Sequence, residues 1–146
     1  MVNFTHSTKP ALAKEIKKDW WLIDVSGRIL GRIAPKIASM LQGKHKSNYA
    51  PYLDMGDYVV VINASQIKVT GDKLQKKIYT RYSGYPGGLK KINLVNLLKK
   101  NPEEVIRQAV LGMLPKNKLR KKRIARLYVF AGNEHPYKEK VKSLVV

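Results

Sequence analysis

An α/β fold is what this chain predicts, on three observations. Two near-continuous apolar runs, WWLIDV from Trp20 to Val25 and YVVVINA from Tyr58 to Ala64, have the composition of strands buried on both faces, as in a parallel sheet. Between them lies the clearest amphipathic stretch, with Ile29, Ile33, Ile37 and Leu41 recurring every four residues. Strand, helix and strand in that order make a βαβ unit with a right-handed crossover, and the alternation continues downstream. A chain of 146 residues suits one domain with extensions. The division expected is a basic arm over residues 1–18, an α/β body over 19–137 and a tail over 138–146.

Each element has its own local signal. The arm is polar and broken at Lys9-Pro10, with room for a short helix from Ala11 to Lys18. Ser26-Gly27 bounds the first strand. Pro35 conflicts with a helix that starts at Arg28, because an interior proline loses a backbone bond and clashes with the preceding turn. The regular helix is therefore placed from near Gly31 or Arg32 to the stop at Gly43. Lys44 to Lys46 and Asn48 to Tyr52 follow as a loop with basic and aromatic residues interleaved, and Asp54 to Asp57 is a turn. After the second strand come a short apolar patch over Ile67 to Leu74 and the turn Thr70-Gly71-Asp72. Lys76 to Ser83 alternates as a strand with one wet face, which places it near a sheet edge. Gly84 to Gly88, GYPGG, is a loop with unusual backbone angles. Leu94 to Leu98 forms a short helix that ends at Asn101-Pro102. Pro102 opens the next helix, with Glu103 and Glu104 in its positive first turn, and this helix runs to about Met113. Val105, Ile106, Ala109, Val110 and Met113 form its buried face. Leu127 to Phe130 is the last strand, and the chain trails off from Lys138.

The charge balance narrows the function. Twenty-nine Lys and Arg against 10 Asp and Glu give +19, while 44% hydrophobic residues argue against wholesale disorder. Such a charge attracts polyanions, of which phosphate polymers are the commonest in a cell. A membrane-spanning role is excluded by the shortness of the apolar runs, such as Val59 to Ile62, against the roughly 20 residues a spanning helix needs. No cysteine and no signal-peptide core fit a cytoplasmic address. Charge is densest over Gly112 to Arg126, where Lys116, Lys118, Arg120, Lys121, Lys122, Arg123 and Arg126 crowd together without an acid. Leu119, Ile124 and Leu127 share a helical face there, which makes this a docked element presenting its cations to folded RNA. SGYPGGLKK is a second candidate. Its glycines allow close backbone approach, Tyr82 and Tyr85 offer stacking surfaces for bases, and Arg81, Lys90 and Lys91 flank them with charge.

Catalytic patterns are absent from the sequence. His6, His45 and His135 have no second histidine at helical spacing for a metal face. Asp54 and Asp57, separated by Met-Gly, read as turn and capping residues rather than an acid and base pair. Ser65 and Ser83 have no activating histidine nearby, and Gly27 and Gly31 do not complete a dinucleotide or P-loop spacing. The expectation is a protein that is not an enzyme and has no cofactor, no metal and no small-molecule substrate.

WWLIDVSGRILGRIA, LQGKHK, DMGDYVVVINA, IKVTGDK, RYSGYPGGLK, GMLPKNKL and LYVFAGNEHPY resemble, in order and spacing, the bacterial large-subunit ribosomal protein thirteen family. The resemblance runs from Trp20 to Tyr137. It implies a three-layer α/β/α domain with a four-stranded, mainly parallel sheet and basic loop and terminal extensions. It also implies an early-binding, non-enzymatic constituent of the large ribosomal subunit, with 23S-type rRNA and neighbouring ribosomal proteins as partners. Carried over by position, the RNA-contacting segments are Lys44, His45 and Lys46, then Arg81 to Lys91, then Lys116 to Arg126. The family's HPHxAQ reads His135-Pro136-Tyr137-Lys138-Glu139-Lys140 here. The rival reading is a regulator that binds messenger RNA; a DNA reader would want a recognition helix aimed at base edges, whereas these cations suit a phosphate backbone.

Overall fold

The computed structural model describes residues 12, 14, 16–141 and 143–145. The first ten residues of the arm, and Ala11, Ala13 and Glu15 of the helix expected from Ala11 to Lys18, lie outside the described residues, while Ile16, Lys17 and Lys18 are not helical. Strand β1 (Trp20–Asp24), helix α1 (Leu30–Gln42) and strand β2 (Tyr58–Ile62) form the βαβ unit, with β1 and β2 parallel and Trp20 opposite Tyr58. A short 3₁₀ turn at Ala64–Gln66 follows β2. Helix α2 (Lys73–Lys76), strands β3 (Ile78–Tyr82) and β4 (Leu89–Asn93), and helices α3 (Leu94–Lys100), α4 (Pro102–Met113) and α5 (Leu119–Ile124) come next. Strand β5 (Leu127–Val129) pairs parallel with β2, and β6 (Ser143–Val145) lies parallel on the far edge of β1, giving the order β5-β2-β1-β6.

Side-chain alternation divides the two faces of this sheet. Ile23, Val59, Val61, Leu127 and Val129 join Ile33, Ile37 and Leu41 of α1 and Ile106 and Val110 of α4 in one buried cluster. Leu98 of α3 and Ile124 of α5 pack against the same cluster, so these helices share one apolar centre. The opposite face carries aromatic rings instead. Trp20 stacks on Tyr58 at 4.3 Å, on Tyr137 at 5.0 Å and on Tyr128 at 5.7 Å between centroids, and Lys140 Nζ lies 5.6 Å from the Trp20 ring. Tyr137, which stands where the family pattern has its second histidine, is thus a packing residue of this face. Burial first, and the neighbouring Tyr137 and Tyr58 second, raise the Tyr128 hydroxyl above its ordinary pKa.

Helix α1 ends as its sequence dictates. Gly43 takes φ 81°, and its N–H donates to the carbonyls of Ser39 and Met40, both at 3.0 Å. Pro35 is accommodated inside the helix on its exposed side. Helix α4 starts with Pro102 and carries Glu103 and Glu104 in its first turn.

Several expectations need correction. The strand read over Lys76 to Ser83 does not edge the parallel sheet. It forms β3, which pairs antiparallel with β4 in a separate hairpin, so the strands fall into two sheets rather than one. GYPGG is the hairpin's loop. The reason is burial: β3 is exposed along most of its length and lacks the two apolar faces that an inner parallel strand requires. Residues 143–145, read as tail, form β6. Met113, read as buried, is 43% exposed, and Leu114 at 2% fills the core beyond the end of α4.

Candidate nucleic-acid interface

The three predicted basic segments meet different fates. Lys44 is exposed just beyond the Gly43 turn. Lys46 instead turns inward to Asp57, whose carboxylate has no solvent exposure, and His45 reaches the same carboxylate while remaining exposed. Lys46 Nζ donates to Asp57 Oδ1, to the Met55 carbonyl at 2.9 Å and to the Lys17 carbonyl at 2.6 Å. His45 Nε2 lies 2.9 Å from Asp57 Oδ2, and Trp21 Nε1 and the Asp19 amide donate to the same carboxylate. Burying a carboxylate is costly unless every lone pair is used, and here they are. Lys46 is therefore spent on tethering the loop to β1 and β2.

The Gly112 to Arg126 segment divides similarly. Helix α5 covers Leu119–Ile124, and Leu127 belongs to β5 rather than to the helical face expected for it. Lys116, Lys118, Lys121 and Lys122 are exposed. Arg120 donates to the Leu111 carbonyl through Nε at 3.1 Å and through Nη2 as well, tying α5 to α4. Arg123 and Arg126, read as phosphate-facing, are 1% and 6% exposed. Arg126 grips both oxygens of Asp54 and also donates to the Leu41 carbonyl at 3.2 Å, capping the end of α1 with a cation. Arg123 Nε lies 3.8 Å from Asp54 Oδ1. These two arginines orient α5 and are not displayed to solvent. Asp54 and Asp57, read as turn and capping residues, are the counter-ions of the basic segments.

The hairpin shows the opposite behaviour. Tyr82 and Tyr85 are 63% and 76% exposed, and Arg81, Lys90 and Lys91 are exposed as well. The register sets Arg81 directly across from Lys90, and like charges in that position destabilise an antiparallel pair. Between Lys73 and Lys100 stand eight Lys and Arg residues and no Asp or Glu. Sequence reading passed over Lys73, Lys77, Lys99 and Lys100, although this acid-free interval was visible in the sequence. A groove of about 700 Å³ runs between the hairpin and helices α3 and α4, with Arg81, Lys90, Lys91 and Lys100 on its walls. Its acidic wall residue, Glu104, accepts a hydrogen bond from Gln108 at 2.7 Å. Tyr79 is half-buried in the groove, which raises its hydroxyl pKa, and Lys77 Nζ lies 5.4 Å from its ring. The arrangement offers charge, stacking surfaces and an open backbone to a phosphate polymer.

Among the described residues no group of three or more His, Cys, Asp or Glu side chains is placed to hold a metal ion, and no helix is long and apolar enough to cross a membrane. Comparison with known proteins gives a consistent result. The family model described as ribosomal protein L13 matches residues 18–136. The large ribosomal subunit protein uL13 of Thermus thermophilus is 54% identical over 88% of this chain and 92% of its own length. The proteins of the same name from Syntrophotalea carbinolica and Pseudomonas syringae pv. syringae are 50% and 52% identical, over 90% and 91% of this chain and 92% of their own lengths.

Proposed function

Because this chain belongs to the ribosomal protein L13 family, we propose that it is a non-enzymatic structural constituent of the large ribosomal subunit that binds 23S-type rRNA and supports early subunit assembly. The observation that carries the RNA-binding part is the pairing of Arg81 with Lys90 across an exposed, acid-free hairpin. Folding places two cations face to face at a cost, and a phosphate between them reverses the sign of that interaction. Residues 19–137 hold most of the RNA-binding body, with 1–18 as an arm and 138–146 as an extension whose residues 143–145 add β6 to the sheet; the extent of the family match supports this division. A four-stranded, mainly parallel sheet belongs to the same proposal, supported by the parallel placement of β6 beside β1, whereas the packing of α1, α3, α4 and α5 about one face of the sheet does not support the third layer of the α/β/α reading.

Within this function the exposed cations carry the contacts: Lys44, Arg81, Lys90, Lys91, Lys116, Lys118, Lys121 and Lys122. Tyr82 and Tyr85 stack on unpaired bases. Neighbouring large-subunit proteins meet surfaces that the RNA leaves free. Binding is chiefly electrostatic, through counterion release, and the rigid body sets which rRNA helices are brought together.

Replacing Arg81 and Lys90 together by alanine tests the reading. Affinity for large-subunit rRNA, measured over a range of salt, should lose roughly 1.4–1.8 from the slope of log affinity against log salt, two contacts at about 0.7–0.9 each. Folding stability should stay level or rise, because the like-charge pair is gone. An unchanged slope with normal incorporation into large subunits would overturn the assignment.

A further inference from the structure

Helix α1 and the turn before it present a charged ridge that none of the three basic segments includes. Arg28, Arg32 and Lys36 stand four residues apart and, with Gly27, Ile29 and Ile33, line a cavity of about 380 Å³. Arg32 and Lys36 share one side of α1, where like charges repel, and Arg28 stands two residues before the helix begins. The first turn of α1 has no acidic residue to relieve them, and cations near a helix N-terminus also oppose its dipole. Asp24, the acid that acts on Arg28, is already engaged by Asn63 and Ser26 at 2.9–3.1 Å; the Asn63 hydrogen bond is the foremost cause holding its carboxyl below its ordinary pKa.

The backbone beneath the ridge is fixed. Gly27 N–H donates to the Gln66 carbonyl at 3.0 Å, Lys68 N–H to the Arg28 carbonyl at 2.8 Å, and Leu30 N–H to the Lys68 carbonyl at 2.9 Å. Those bonds bring the exposed Lys68 alongside the ridge. From there the charge continues to the hairpin: Leu30 at the start of α1 lines a second cavity, of about 510 Å³, together with Lys73, Lys77 and residues 78–80 of β3.

The geometry points to a phosphate-binding track that runs from Lys36, Arg32 and Arg28 through Lys68 to Lys73 and Lys77, and that holds one strand of the same RNA the hairpin grips. This rests on the rRNA-binding reading above. At a rise of 1.5 Å per residue Arg32 and Lys36 stand about 6 Å apart along α1, the length of roughly two phosphates at about 3.4 Å of axis each, and Arg28 extends the row ahead of the helix. The ridge is rigid while its side chains are long and solvated, which suits backbone contacts rather than base reading.

The test is salt-dependent binding of the full chain to large-subunit rRNA fragments. Four variants are compared with the unaltered protein: the triple alanine change at Arg28, Arg32 and Lys36; Lys36→Ala alone; the charge-keeping change Arg28→Lys with Arg32→Lys; and the hairpin pair at Arg81 and Lys90. The triple variant should lose roughly 2–3 from the slope, and the charge-keeping variant should keep it. Lys36→Ala alone, at an exposed position that should not disturb folding, should lose roughly 0.7–0.9. A hairpin pair that loses slope while the triple and Lys36→Ala variants keep it overturns the track and leaves the hairpin reading standing. An unaltered protein without salt-dependent binding overturns both.

Discussion

Replacing Asp54 by alanine is expected to lower the folding free energy by about 3–5 kcal/mol, the usual effect of removing one partner from a buried ion pair. The loss arises in the arginines more than in the aspartate. Arg123 and Arg126 are almost wholly buried, and Asp54 is the acid that each of them meets. Among the described residues, Arg123 Nε and Nη2 and Arg126 Nε have no hydrogen-bond acceptor, so the pair already shares one carboxylate between two cations. Without it, two guanidinium groups remain uncompensated in the interior. Arg126 also caps α1 through the Leu41 carbonyl, so the damage reaches from α5 to the end of α1. Chemical denaturation of the variant and the unaltered chain measures it. A loss below about 1 kcal/mol would show that the arginines reach solvent at little cost.

The same contact makes stability depend on acidity. Burial pushes the Asp54 carboxyl up, but the Arg126 hydrogen bond and charge, with Lys18 and Arg123, more than offset it, and the net pKa lies below the ordinary value. A carboxylate with a lowered folded pKa contributes its full stabilisation above the unfolded value, near 4, and loses it as pH falls through the folded value. Asp24 is shifted in the same direction, so the difference between the unaltered chain and Asp54→Asn isolates one site. That difference should be constant from pH 7 to about 5 and shrink below about 4.

Local signals explain which elements were legible in the sequence. The period of Ile29 to Leu41, the Gly43 stop and the Pro102 start each act within a few residues, and α1 and α4 follow them. The partners of β4 and β6 lie elsewhere in the chain. LKKIN has neither an apolar run nor a clean alternation, and only pairing with β3 makes it a strand; β6 needs the edge of β1, more than a hundred residues earlier. The same limit applies to the basic segments. Nothing local separates Arg123 from Lys122, although one is buried and the other exposed, because the difference is set by Asp54 far upstream. Arg126 and Asp54 stand 72 residues apart, and Arg126 and Leu41 stand 85 apart. The hairpin was legible as a binding element because its charge and aromatic content are local. Its opposed cations were not, since register sets them.

Gly56→Ala should be the most damaging single-methyl addition in the chain. Gly56 lies between the two acids, where the loop before β2 presses on the end of α1. An added Cβ would stand 1.8 Å from the Leu41 carbonyl oxygen, 2.4 Å from its carbon and 2.9 Å from Arg126 Nη2. Two of those atoms are backbone and cannot rotate away. The displacement would also part the Asp57 amide from the Met40 carbonyl, which it meets at 3.1 Å, and loosen the Arg126 contact to Leu41. Overpacking costs about 1–3 kcal/mol where side chains can yield, so a backbone collision that also weakens the Asp54 network should cost at least about 3 kcal/mol. Gly112→Ala in α4 is the matched control. Its Cβ would meet nothing within 4 Å, and alanine in a helix gains up to about 1 kcal/mol over glycine. Thermal melting of the two variants should therefore move in opposite directions. A Gly56→Ala chain that melts with the unaltered protein would mean that the loop before β2 can lift away from α1, and that the ion pairs at Asp54 and Asp57 do not depend on that contact.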